Sequence, residues 1–331
     1  MARLAINGLG RIGRAALRIV WDHPALELAA VNDLLSADQL AYLLKYDTVY
    51  GRFGTPVQAE NNVLHIDGRP CPVFNEKDPA ALPWGELGVD VVLECTGVFR
   101  STEELRKHVA AGARHVILSA PAKDDGTPMV VHGVNRPGPA PEILSAASCT
   151  TNCITPVVEI MDRRIGVRKA VMTTIHAYTS SQTIVDGPRR KWRRGRAAAA
   201  NFVPTSTGAA RATTRVLTGL EGRFDGIAVR GPVPVGSLAD IVFVARASTS
   251  VDAVNAAFRE EAASDRYEGI LGVTEDPIVS SDVVRDPRAA VVDLTMTQVV
   301  DGDLVKVLAW YDNEWGYTNQ MVRLALELVQ I

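Results

Sequence analysis

Cysteine is scarce in this chain of 331 residues: there are four, at positions 71, 95, 149 and 153. That is too few and too scattered for a disulfide framework at this length, and it suits a reducing cytosol. Surplus charge is lacking too. A formal balance of −3 gives no electrostatic case for nucleic acid or an anionic membrane as a partner. No run of 18 apolar residues occurs, so no membrane span is expected. The opening MARLAINGLG has neither a charged leader nor an apolar export core, and a cytoplasmic location is the expectation. Internal repeats and low-complexity tracts are also missing.

What is present is core-forming material, 47% hydrophobic residues, enough for two domains of roughly 150 residues each. The first stretch, RLAINGLGRIGRAALRIVWDHPALELAAVND, reads as strand, turn, helix, strand. Gly8, Gly10 and Gly13 form a G-x-G-x-x-G turn between the first strand and the helix, and Asp33 closes the second strand about 20 residues further on. Such a turn brings backbone N–H groups to a pyrophosphate at a helix start. Asp33 is placed to accept from an adenosine ribose and to repel a 2′-phosphate. The reading is a dinucleotide site that prefers NAD to NADP.

Strands are predicted at 89–97 and 115–121, with a helix at 101–112 between them, capped by Ser101 or Thr102 with Glu104 and stopped by Gly112. This alternation gives a doubly wound, mostly parallel α/β sheet of the Rossmann type up to residue 148. From 149 the pattern changes. Segments 169–179, 226–235, 237–247, 289–300 and 303–312 are β-branched and often alternating, and Asp301-Gly302 marks a hairpin. They predict a second, α+β domain on a largely antiparallel sheet over 149–314. Helices are expected at 250–264 and at 315–331, the latter packing back on the first domain.

Between the two lies SCTTNC, 148–153. Apolar residues 154, 157, 158, 161 and 165 share one helical face, so Ser148 caps a helix with Cys149 in its first turn. The positive end of that helix favours a thiolate. Residues i and i+4 have Cβ atoms roughly 5–6 Å apart, whereas a disulfide needs about 3.5–4.5 Å, which argues against a Cys149–Cys153 bridge. Zinc needs three or four ligands, and only His176 is in prospect besides the thiols, so no metal is expected. His176 lies near a strand end, where a base can lean over the helix start. A thiol, a histidine and a dinucleotide fold together suggest aldehyde oxidation through a thioester. The hydroxyls of Thr150, Thr179 and 204–211, with Arg230 and the arginines of RRKWRRGR (189–196), offer phosphate-binding chemistry.

In their order, INGLGRIGR, VNDL, LAYLLKYDTVYGRF, ECTGVF, ILSAPAK, SCTTNC, TTIHAYT, PTSTGAA and WYDNEWGY make the whole chain resemble the phosphorylating glyceraldehyde-3-phosphate dehydrogenases. The resemblance implies NAD-dependent oxidation of glyceraldehyde 3-phosphate to 1,3-bisphosphoglycerate, with Cys149 as nucleophile and His176 as base. It also implies cofactor contacts from Arg11, Ile12, Asp33, Lys77, Thr96, Ser119 and Asn313, beside the three glycines. Thr179 and Arg230 would hold the substrate's C3 phosphate. Ser148, Thr150, Thr207, Gly208 and one arginine of 193–196, taken as Arg194, would hold inorganic phosphate. A homotetramer is implied, with about 178–201 as an interface loop. The chain departs from the common pattern in Gly231-Pro232, Ser180-Ser181, Arg211 and the shortened basic run. Two other readings stay open: an erythrose-4-phosphate dehydrogenase, against which Ser206-Thr207-Gly208 argues, and a specialised or non-catalytic NAD-binding paralogue, against which Cys149 and His176 argue.

Overall fold

The computed structural model describes residues 1–136 and 139–329, which divide into two compact units. The first comprises 1–132, 136–147 and 318 onward; the second comprises 133–135 and 148–317.

In the first unit β1 (Ala2–Asn7) leads through the glycine turn into α1 (Arg11–Trp21) and β2 (Leu26–Asn32). There follow α2 (Ala37–Lys45), β3 (Val57–Glu60), β4 (Val63–Ile66), β5 (Arg69–Phe74), β6 (Val91–Glu94), α3 (Thr102–Ala110), β7 (His115–Leu118) and β8 (Ile143–Ser145). The sheet order is β3-β4-β5-β2-β1-β6-β7-β8. Pairing is parallel from β5 to β8 and antiparallel at β3-β4-β5. The expected helix 101–112 forms with its capping box: Ser101 Oγ accepts from Glu104 N–H while the Glu104 carboxylate accepts from Ser101 N–H. Gly112, at φ +102°, lets the chain leave it. β6 stops at Glu94, short of the expected 97, because the chain turns there: Thr96 donates back to the Glu94 carboxylate, and Gly97 adopts φ +71°.

The second unit opens with α4 (Cys149–Ile160), capped by Ser148, whose Oγ accepts from Thr151 N–H. The helix widens into a π-turn at Met161–Ile165 and ends at Gly166, φ +85°. Then come β9 (Val167–Ala177), β10 (Val203–Ser206), α5 (Ala209–Val216), β11 (Phe224–Gly231), β12 (Ser237–Ala245), α6 (Val251–Ala262), β13 (Leu271–Thr274), β14 (Ala290–Val300) and β15 (Leu304–Tyr311), and only the first three residues of α7 (Trp315–Val329) belong to this unit. The order is β10-β11-β9-β12-β15-β14-β13, antiparallel except at β9-β11 and β13-β14. Asp301 and Gly302 both take positive φ, as a tight hairpin between β14 and β15 requires. β11 ends at Gly231, before the expected 235, where Pro232 and Pro234 can donate no ladder hydrogen bond.

On β12 side chains alternate, so Ala239, Ile241 and Phe243 are wholly buried against one face. Ile154, Val157 and Val158 of α4 join the same core. Each such buried aliphatic contributes roughly 1.5–3 kcal/mol over exposure, which fixes the height at which α4 presents Cys149. From Thr318 onward α7 groups with the first unit; positions 330 and 331 of the expected helix lie outside the described residues.

Candidate active site

Two elements of the second unit bring the thiol and the histidine together. Ser148 starts α4, so Cys149 falls in its first turn. On β9 the two-residue period turns Thr174 and His176 inward and leaves Ile175 facing out. Cys149 Sγ and His176 Nε2 are 3.4 Å apart. β11 runs parallel to β9 with Arg230 opposite His176, and Arg230 Nη1 comes within 2.9 Å of both His176 Nδ1 and the Ala177 carbonyl. His176 Nδ1 is also 2.7 Å from that carbonyl. In a neutral ring Nδ1 does one of two things. Donating to Ala177 O leaves Nε2 bare toward the thiol; accepting from Arg230 puts the proton on Nε2, facing a thiolate.

Electrostatics here oppose one expectation. Burial raises the Cys149 thiol above its ordinary value, against the lowering by the Arg230 charge and by hydrogen bonds from Thr150 and the local backbone. The helix start alone therefore does not make a standing thiolate. Burial, then the Arg230 charge, pushes His176 down to about 3. At neutral pH the pair rests as thiol and neutral imidazole, a donor and an acceptor awaiting substrate. Cys153, one turn on, is fully buried with its Sγ against the Ala309 carbonyl, and burial raises it well above the ordinary thiol value.

Around this pair lie the proposed anion ligands. Thr179 Oγ1 and Ser181 Oγ are 2.8 Å apart, and Arg194 Nη1 donates to Ser181 Oγ while its Nε donates to Thr205 Oγ1, both at 3.1 Å. Thr207 Oγ1 accepts from Ala209 N–H at the start of α5, where Gly208 is the N-cap. Ser148 Oγ is engaged with Thr151. The Thr150 hydroxyl lies 3.0 Å from Tyr311 OH and 3.9 Å from Cys149 Sγ, between the ring and the thiol. Asn313 is buried, its Oδ1 accepting from Ser237 Oγ, which in turn accepts from Ala177 N–H.

Residues 148–313 match the family profile described as glyceraldehyde 3-phosphate dehydrogenase, C-terminal domain, and residues 2–102 match that family's NAD binding domain. Curated relatives align over nearly the full length. A glyceraldehyde-3-phosphate dehydrogenase 2 from Streptomyces avermitilis is 48% identical over 328 residues, 98% of this chain and 97% of that protein. A glyceraldehyde-3-phosphate dehydrogenase from Clostridium acetobutylicum is 47% identical over 329 residues, again 98% and 97%. Glyceraldehyde-3-phosphate dehydrogenase 1 of Bacillus subtilis is 43% identical, with the same coverage. The chain belongs to the glyceraldehyde-3-phosphate dehydrogenase family.

The family's cofactor is NAD, and the first unit has residues to fit it. Gly8 sits at φ +90°, and a Cβ there would lie 2.7 Å from Thr96 N; at Gly13 it would lie 1.9 Å from Gly8 O. Gly10, the N-cap of α1, brings no capping side chain, and a Cβ on it would meet nothing within 4 Å. That leaves an open backbone approach at a helix start, the geometry a pyrophosphate uses. Asp33 accepts from Leu9 N–H at 2.7 Å and from Leu35 N–H at 2.9 Å, which aims its carboxylate at the same turn. Thr96 packs against Gly8, and Ser119 follows β7 with its N–H bonded to Glu94 O. The Arg11 guanidinium is ion-paired with Asp47, Ile12 lies in the first turn of α1, and Lys77 is exposed on the loop after β5.

Sequence reasoning missed several supporting residues. Glu94 is buried beneath the turn and accepts from Asn7 Nδ2 and from the backbone and hydroxyl of Thr96, with His108 Nε2 at 3.1 Å. Asn75 donates to the carbonyls of Asp33 and Leu35. Tyr311 has its hydroxyl between Thr150 and Thr174 and meets the His176 ring edge-on, centroids 6.0 Å apart. Glu94 and Tyr311 lie inside motifs already noted, ECTGVF and WYDNEWGY, and a buried polar residue in such a stretch is the signal that could have found them. Among the described residues no three His, Cys, Asp or Glu side chains gather as a metal site, and no helix is long and apolar enough to cross a membrane.

Proposed function

We propose that the protein catalyses NAD-dependent, phosphate-dependent oxidation of glyceraldehyde 3-phosphate to 1,3-bisphosphoglycerate in the cytoplasm. The observation that carries this reading is Cys149 Sγ at 3.4 Å from His176 Nε2, at the start of a helix, in a chain of this family. The Cys149 sulfur adds to the aldehyde carbon as His176 Nε2 takes the thiol proton. The adduct's oxygen is held by the Cys149 N–H and by His176. His176 passes that proton to the adduct oxygen and, neutral again, takes it back as the C–H hydride departs, leaving a thioester on Cys149. Bound NAD supplies the hydride acceptor, with Asn313 supporting the nicotinamide. Thr179 and Arg230 orient the C3 phosphate. Ser148, Thr150, Thr207, Gly208 and Arg194 hold the inorganic phosphate, which attacks the thioester carbon and returns the thiol.

Omitting phosphate is the direct test. NADH formation is expected to stop after a burst of about one equivalent per active site and to continue when phosphate is added. Steady turnover without phosphate would sink the phosphorolytic reading. Substituting Asp33→Gly tests the ribose role. The NADP-to-NAD affinity ratio, read by fluorescence titration of both reduced forms, is expected to rise about tenfold or more, the scale of one charge-assisted hydrogen bond. An unchanged ratio would count against Asp33.

A homotetramer belongs to the same proposal. Val171, Ile175 and Ile227 expose 56%, 37% and 50% of their surface along β9 and β11, an apolar sheet face that supports burial against another copy.

A further inference from the structure

The basic run RRKWRRGR contains three side chains with described polar partners, and these partners differ in kind. Arg196 is paired with the Asp186 carboxylate at 2.8 Å, so its charge is neutralised. Lys191 and Arg194 turn to hydroxyls instead: Lys191 Nζ donates to Ser206 Oγ at 2.6 Å, next to the Arg194–Thr205 bond. A hydroxyl accepts a hydrogen bond but leaves the cation's charge unanswered. Arg230 is the third member of the group, and its Nε is buried without a partner. Antiparallel pairing sets Val203 of β10 opposite Arg230 of β11, so Thr205 and Ser206 lie just along the same strand. Among the described residues none of Lys191, Arg194 and Arg230 is paired with a carboxylate. They act on one another: burial and the charges of Arg194, Arg190 and Arg230 all pull the Lys191 ammonium down. Like charges held together without a counter-charge are unfavourable until an anion arrives.

We propose that Lys191 is a further ligand of the inorganic phosphate that attacks the thioester, a role resting on the phosphorolytic reading above. Ser206 immediately precedes Thr207 and Gly208, which open α5. The ammonium is therefore anchored two residues before the N-cap of an eight-residue helix, where a tetrahedral oxyanion is favoured. Lysine suits this task because its ammonium has three donors on a flexible stem: one can keep Ser206 while another turns to a phosphate oxygen. The C3 phosphate, by contrast, is assigned to Thr179 and Arg230 beside His176. Lys191 thus bears on capture of the second, free phosphate.

The test is steady-state and burst kinetics of full-length wild type, Lys191→Met and Lys191→Arg, with phosphate and triose phosphate varied separately. Lys191→Met is expected to raise the KM for phosphate about tenfold, the scale of one charge-assisted hydrogen bond. The triose KM and the phosphate-free NADH burst should stay within about twofold, and Lys191→Arg should restore most of the loss. A phosphate KM unchanged in Lys191→Met, in an enzyme whose wild type depends on phosphate, overturns the role of Lys191 alone. A rise confined to the triose KM overturns it too, by moving the residue to the C3 phosphate. A wild type that ignores phosphate overturns the phosphorolytic reading itself, before either variant is compared.

Discussion

Cys149→Ala is expected to lower NADH formation from glyceraldehyde 3-phosphate by roughly 10⁴-fold or more, the scale seen when a covalent nucleophile is removed, while NAD affinity stays unchanged. An aldehyde cannot readily release hydride, because the residue would be an acylium ion; a tetrahedral adduct gives hydride from a carbon already bearing an oxyanion. No neighbour can supply that adduct in place of Cys149. Cys153 is fully buried, and its Sγ lies 3.9 Å from the Ala309 carbonyl. The hydroxyl of Thr150 is taken up by Tyr311. Cys153→Ala is the matched control, since it removes a sulfur from the same helix and touches only packing. The check is the NADH burst in both variants, with cofactor titration alongside. A burst surviving in Cys149→Ala would remove the thioester from the mechanism.

Much of this site was legible because independent patterns coincide on the same residues. The glycine turn follows a strand, opens α1 and precedes Asp33. Each of those placements recurs in the structure, with Gly8 and Gly13 at positions where a Cβ would collide with backbone. Ser101 with Glu104, and Ser148 before Cys149, announced two helix starts by capping chemistry that operates within four residues. The β3-β4-β5 meander went unread although its turns are written in the chain: Asn61-Asn62 and Asp67-Gly68 all adopt positive φ. Its strands of four to six residues are too short for alternation to declare them. The electrostatic state of Cys149 was beyond reading for another reason. The helix start is local, but the burial and the Arg230 charge from β11 come from distant sequence. Likewise RRKWRRGR reads as eight equivalent letters until the fold gives Arg196 a carboxylate and Lys191 only a hydroxyl.

His176→Asn is expected to slow the phosphate-free burst by roughly 10²–10⁴-fold, the range for loss of a positioned general base, and it should also change how stability depends on pH. In the unfolded chain a histidine takes up its proton near pH 6.5. In the folded protein His176 does so only at about 3, because burial and the Arg230 guanidinium disfavour the imidazolium. Between those values the unfolded state binds the extra proton, so stability present above pH 6.5 is lost as pH falls through this window. The slope reaches at most about 1.4 kcal/mol per pH unit. Carboxylates contribute their own acid sensitivity, but equally to wild type and variant. The difference in urea midpoint between the two proteins, measured from pH 7 to pH 4, therefore isolates the histidine. Wild type should lose stability faster on acidification than His176→Asn. Parallel curves would mean that His176 titrates like an exposed histidine, and a base that is neutral only by virtue of ordinary pH would have to replace one held neutral by its surroundings.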